Sequence, residues 1–60
     1  MKFNVNDLVV NIHTGETCTI KKVEVEWAIP VYEAEYADGK VIRFNTRYEK
    51  DWELVAGESE

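Results

Sequence analysis

Staples and ligand-bearing residues are scarce in this chain. It has one cysteine, one proline, three glycines and one histidine. A lone Cys18 excludes an intrachain disulfide and suits a reducing compartment, where it reads as a small buried hydrophobe. His13 and Cys18 do not converge with carboxylates at a metal-ligand spacing, and His13 reads as a loop residue. Neither a Gly-rich phosphate loop nor a nucleophile motif occurs. The start, MKFNVNDLVV, has no small-residue cleavage site. No apolar run approaches the roughly 20 residues of a membrane helix. The expectations are a cytoplasmic protein, no cofactor, no metal and no catalysis.

Basic charge is scarce as well. Seven Lys and Arg stand against twelve Asp and Glu, for a formal charge of −5. Of the bases, Lys40, Arg43, Arg47 and Lys50 lie close in sequence and the rest are scattered. Phosphate binding draws its affinity from clustered cations, so nucleic acid is the weaker expectation and a basic protein partner the stronger.

What the chain does have is alternation. Sixty residues make one domain, and a domain this small buries only about 60% of its unfolded surface. No segment keeps a helical period. Leu8 to Ile12 reads as a strand with Leu8, Val10 and Ile12 inward. His13 to Glu16 is a loop. Thr17 to Trp27 is a longer strand whose apolar parity switches, Cys18 and Ile20 giving way to Val23, Val25 and Trp27. A period-2 strand changes faces only through an extra residue, which predicts a bulge or bend at Lys21-Lys22. Ala28-Ile29-Pro30 reads as a turn, and Tyr32, Ala34 and Tyr36 then share a face. Lys40 to Phe44 is a fourth strand. Asn45 to Asp51 holds a short 3₁₀ segment, and Trp52 to Val55 is the last strand. Residues 56–60 read as an acidic, disordered tail beyond a domain of residues 1–55. The expected core is Leu8, Val10, Ile20, Val23, Val25, Tyr32, Ile42, Phe44 and Leu54.

Asp38-Gly39 allows two hairpins. A two-residue turn would set Glu33 against Phe44 and mix charge with core on each face. A three-residue loop, Ala37-Asp38-Gly39, pairs Tyr36 with Lys40, Ala34 with Ile42, Tyr32 with Phe44 and Glu33 with Arg43. The apolar pattern selects the bulged form. Glu24, Glu26, Glu33 and Glu35 then form a carboxylate row. Both registers considered for the Trp27–Tyr32 turn, with Ala28-Ile29 as a two-residue turn or with a four-residue loop, predict at least one like-charge pair within it. The row reads as a solvated face or a contact for a basic partner. Acid–base catalysis would need a pocket that drives the two pKa values apart.

The elements Phe3…Asp7-x-Val9, Gly15…Ile20-x-x-Val23, Tyr32-x-x-x-Tyr36-x-Asp38-Gly39 and Glu53-Leu54-Val55 together resemble an SH3-like small β-barrel of the KOW, Tudor and CarD type. The resemblance spans Phe3 to Val55. It implies an all-β, five-stranded, strongly bent barrel with a short 3₁₀ turn before the last strand, and a non-catalytic adaptor role. Asn6-Asp7 departs from the usual Gly-Asp. Ile12-His13 departs from the first aromatic of a methyl-lysine cage, and Thr14-Gly15-Glu16 lacks the basic residues of a KOW loop.

In such folds the turn after Trp27 and the 3₁₀ segment often line one groove. This resemblance nominates Trp27, Ile29, Tyr48 and Trp52 as partner-binding residues, with Glu24 and Glu26 beside them to steer a basic partner. The alternative for the tryptophans is that they cap an open barrel end. The functional expectation is a small acidic adaptor or accessory protein, of a size that suits a bacterium or phage. Two alternatives stay open. One is a nucleic-acid-related role, either weak direct binding or an acidic mimic that inhibits a nucleic-acid enzyme. The other is a structural assembly subunit that covers a strand edge.

Overall fold

The structure, a computed structural model, describes residues 2–56. Five strands follow in chain order: β1 (Leu8–Asn11), β2 (Thr17–Glu26), β3 (Ile29–Tyr36), β4 (Val41–Asn45) and β5 (Trp52–Ala56), with a 3₁₀ turn over Thr46–Asp51 before β5. All neighbouring strands are antiparallel, in the order β4-β3-β2-β1-β5. This is the expected all-β architecture. The sheet does not close on itself, a form compatible with a bent barrel. Ala56, expected in the tail, belongs to β5 and pairs with Leu8. The rest of the expected tail lies outside the described residues.

The bulge falls where the apolar parity switches. Ile20 pairs with Ala34 and Lys22 with Glu33, which leaves Lys21 as the extra residue. Ile20 is therefore buried and Val23, three residues on, packs against the same core. The β3–β4 hairpin has the expected bulged register. Tyr36 N–H donates to the Lys40 carbonyl at 2.8 Å and Gly39 N–H to the Tyr36 carbonyl at 2.9 Å. Ala34 faces Ile42, Tyr32 faces Phe44 and Glu33 faces Arg43. Gly39 sits at φ +92°, a conformation that glycine alone adopts without steric cost.

The β2–β3 turn differs from both expected forms. It consists of Trp27 and Ala28, with Glu26 paired to Ile29, Glu24 to Val31 and Lys22 to Glu33. No like-charge pair arises in this register. Pro30 falls opposite Val25, in a pair that exchanges no ladder bonds, so its missing N–H disturbs nothing.

The core consists of Phe3, Val9, Cys18, Ile20, Tyr32, Ala34, Phe44 and Trp52. Aromatic rings run through it in sequence. Phe3 meets Tyr32 edge-on at 5.5 Å, Tyr32 lies 5.1 Å from Phe44, and Phe44 stacks on Trp52 at 5.0 Å. The Tyr32 hydroxyl accepts from Lys2 N–H at 3.0 Å and Phe3 N–H at 3.4 Å, and donates to the Glu49 carboxylate. One buried residue thus ties the N-terminal segment to the 3₁₀ turn. Its burial, with the bond to Glu49 second, raises the Tyr32 pKa.

Four residues of the expected core, Leu8, Val10, Val25 and Leu54, are corrected. In β1, Val9 is fully buried, while Leu8 and Val10 are half-buried and Ile12 is exposed. Val9 is paired with Cys18, and paired residues share a face, so the inward parity of β2 decides that of β1. Val25 is 64% exposed, because its end of the β2–β3 hairpin reaches beyond the packed core. Leu54 pairs with Val9 but lies on edge strand β5 and is likewise exposed.

Candidate interaction surface at the β2–β3 hairpin

Strand alternation places Glu24, Glu26, Glu33 and Glu35 on one face with Lys22, Ile29, Val31, Arg43 and Asn45. Arg43 reaches across this face. Its Nη2 lies 3.2 Å from Glu24 Oε1 and 2.9 Å from Glu26 Oε2, and Lys22 Nζ lies 3.0 Å from Glu24 Oε2. The four residues make a ladder of two cations and two carboxylates. Hydrogen bonding and charge from Lys22 lower the Glu24 pKa, and the same contact raises that of Lys22. Glu26 raises that of Arg43. Glu33 is Arg43's cross-strand neighbour, yet the Arg43 bonds go to β2. Glu24 is thus bonded by both cations and Glu26 by Arg43 alone.

Trp27 stands at the tip of the hairpin, 94% exposed. Trp27 and Ala28 have φ of +52° and +66°, the left-handed conformations that a two-residue type I′ turn demands. Neither residue suits such a turn, so an indole is fixed in solvent on a strained corner. Ile29 is exposed beside it. Tyr48, 50% exposed, is supplied by the 3₁₀ turn. Asn45 caps that turn, its side-chain oxygen accepting from Arg47 N–H at 2.9 Å. Tyr48, Glu26, Val31, Arg43, Phe44 and Asn45 line a shallow cleft of about 290 Å³.

Of the expected contact residues, Trp27, Ile29, Glu24 and Glu26 gather on the hairpin, and Tyr48 borders the cleft at its side. Trp52 does not join them. It is 5% exposed and stacked on Phe44, so its face is not available to a partner. Val31, Arg43 and Asn45 are cleft residues that sequence reasoning missed. The true turn, Trp27-Ala28, is what aligns Val31 with Glu24, and the sequence carries no Gly or Asn there to mark it.

Elsewhere, several polar groups have structural partners. His13 Nε2 lies 2.9 Å from Asp51 Oδ1, tying the β1–β2 loop to the end of the 3₁₀ turn. Buried Asp7 accepts from Asn4 N–H at 2.9 Å. Cys18 is buried among apolar neighbours, and that burial pushes its thiol up to about 11, the opposite of a reactive thiolate. Among the described residues, no group of three His, Cys, Asp or Glu is placed to hold a metal ion, and no helix is long and apolar enough to cross a membrane. The chain matches no protein-family model, no curated protein and no solved structure.

Proposed function

We propose that the chain is a non-catalytic protein-interaction module of SH3-like build, acting as a small acidic adaptor for a basic partner. The observation that carries this reading is Trp27, an almost fully exposed indole held on a left-handed turn. Strain of this kind costs about 1–3 kcal/mol per residue and clusters at functional sites. Aromatic anchors are also the commonest interface hot spots. The contact surface is Trp27, Ile29 and Tyr48, flanked by Glu24 and Glu26. The carboxylate face carries four acids, Glu24, Glu26, Glu33 and Glu35, against Lys22 and Arg43, an excess of two negative charges that favours a basic rim on the partner. The strand order, the bulge at Lys21 and the 3₁₀ turn before β5 support the SH3-like reading.

The nucleic-acid alternatives have less support. Mimicry calls for free carboxylates, and Glu24 and Glu26 are engaged by cations. Direct phosphate binding through Lys40, Arg43, Arg47 and Lys50 calls for clustered free cations, and Arg43 of that set is engaged by carboxylates. The test is capture of partners from native-cell lysate on immobilised chain and on Trp27→Ala. The folded variant is expected to lose the specifically retained protein, and added salt to weaken its retention by the wild type. Equal retention by a folded Trp27→Ala would remove this surface from the function.

A further inference from the structure

The sheet ends in two unlike edges, β5 and β4. The β5 ladder is broken by a register shift that leaves Val55 as an extra residue against β1, the kind of irregularity that discourages a further strand. The β4 ladder runs unbroken from Val41 to Asn45. Tyr36 N–H donates to the Lys40 carbonyl, so Lys40, Ile42 and Phe44 aim their backbone groups at β3, and Val41 and Arg43 aim theirs outward. Both residues are exposed. Charged side chains commonly guard such an edge. The guanidinium of Arg43 is instead drawn across β3 to Glu24 and Glu26.

Beside this edge lies a hollow of about 520 Å³, between β4 and the β1–β2 loop, with Tyr36 and Ile42 in its lining. Its charged lining residues are Glu16, Asp38 and Lys40, a net of one negative charge. Asp38 is held in place by accepting from Lys40 N–H at 2.9 Å. Ile42 packs against the core, so the hollow opens on the core face of β4. Side chains of an added strand would alternate between faces, and the residue opposite Ile42 would point towards this hollow. A Lys or Arg there lays its apolar stem on Ile42 and Tyr36 and brings its charge to Glu16 and Asp38. We propose that the outer edge of β4 takes an extended segment of the basic partner as an added strand, with one Lys or Arg side chain in this hollow. Main-chain bonds to Val41 and Arg43 supply affinity, and the hollow supplies selection. The inference rests on the adaptor reading for the partner's basic character and adds how its chain is held. Arg43 and Asn45, further along β4, line the cleft beside Tyr48, so the added strand runs from the hollow towards the surface around Tyr48 and Trp27.

The probe is a short capped peptide of alternating Thr and Val with one central Lys, titrated into the isotope-labelled full chain and followed by amide NMR. The Val41 and Arg43 amides, which lie outside the β3–β4 ladder, should exchange with solvent several-fold more slowly in the saturated complex. Methylating alternate peptide nitrogens separates the two edges of the peptide. One methylated set should weaken binding by about tenfold or more, because it blocks the bonds to β4, and the other set should leave it unchanged. Glu in place of the Lys, or Glu16→Gln with Asp38→Asn in the chain, should weaken it several-fold. Val41→Pro removes an outward N–H and no ladder bond, and should weaken it likewise. Should that variant not fold, the two methylated peptides decide the matter on wild type. No saturable binding, unchanged exchange at Val41 and Arg43, equal binding of both methylated peptides, a folded Val41→Pro that binds as tightly as wild type, or indifference to the Lys each overturns the inference. A wild type that ignores the peptide yet retains a lysate protein through Trp27 sinks strand addition and leaves the adaptor reading intact. Peptide binding along β4 with no protein retained from lysate does the reverse.

Discussion

Trp52 lies flat on Phe44 inside the core, and Trp27 stands in solvent on a strained corner. Truncation should separate them sharply. Trp52→Ala removes a stacked ring and leaves a cavity, which costs about 3–5 kcal/mol, enough to unfold a chain of this size. Trp27→Ala removes no packed contact and should stay within about 0.5 kcal/mol of wild type. Urea titrations followed by far-UV circular dichroism check both, and equal losses would contradict the placement of either ring. Beside Trp27, Ala28 carries a methyl group at φ +66°. Ala28→Gly removes that strain and should stabilise the fold by about 0.5–1 kcal/mol, a rise of roughly 4 °C in Tm for a domain of this length. A lower Tm would mean that the turn is not left-handed.

At the level of strands, what could be read from sequence depended on how many residues voted. The β3–β4 register was legible because Tyr32, Ala34, Ile42 and Phe44 all agree on one face, and a one-residue slip would set Ile42 and Phe44 against Glu35 and Glu33 instead. The parity of β1 was not, because four residues offer two apolar choices and the partner strand decides. The β2–β3 turn escaped because Trp27 and Ala28 lack the usual residues for positive φ, so propensity pointed to the Ala28-Ile29-Pro30 stretch instead. The candidate site follows the same division. Trp27, Ile29 and Tyr48 were nominated by the resemblance, with Glu24 and Glu26 from the carboxylate row beside them, while the places of Val31 and Asn45 needed the true register. Trp52 was misplaced because nearness to a 3₁₀ turn says nothing about which side of it a ring packs. Lys21 tests the strand logic directly. Lys21 is exposed, so Lys21→Ala should be nearly neutral. Deleting Lys21 leaves Ile20 opposite Ala34 and Val23 opposite Tyr32 in a regular ladder, so both keep their inward face and the thermal melt should stay cooperative. A broad, amplitude-poor melt from the deletion would show that the fold needs the bulge itself and not only the shared face of Ile20 and Val23.

For the molecule as a whole, no disulfide supports the fold, and stability against pH is set by groups packed in a small core. Burial raises the Cys18 thiol from its ordinary 9.0 to about 11. Burial also raises Tyr32 and Tyr36. All three are neutral when protonated, so the folded state holds their protons more tightly than the unfolded chain does. Their contribution is complete below pH 9 and is lost as pH rises, first through the Cys18 window from pH 9 to about 11 and then as the tyrosines ionise. The acid side depends on Glu24, whose lowered pKa makes its contribution fall as pH drops, but Glu24 meets its partners at the surface and that limb should be shallow. The stability profile is therefore expected to be flat through neutrality and steep above pH 9. Cys18→Ala isolates the thiol. It should cost about 1 kcal/mol at neutral pH through the lost sulfur contacts. Above pH 9 the gap to wild type should narrow or reverse, by at most about 3 kcal/mol at pH 11, because the variant has no thiol to ionise. Urea midpoints measured from pH 7 to pH 11 for both proteins decide the matter. Parallel curves would show that the thiol titrates alike in the folded and unfolded chains and that the alkaline loss belongs to the tyrosines.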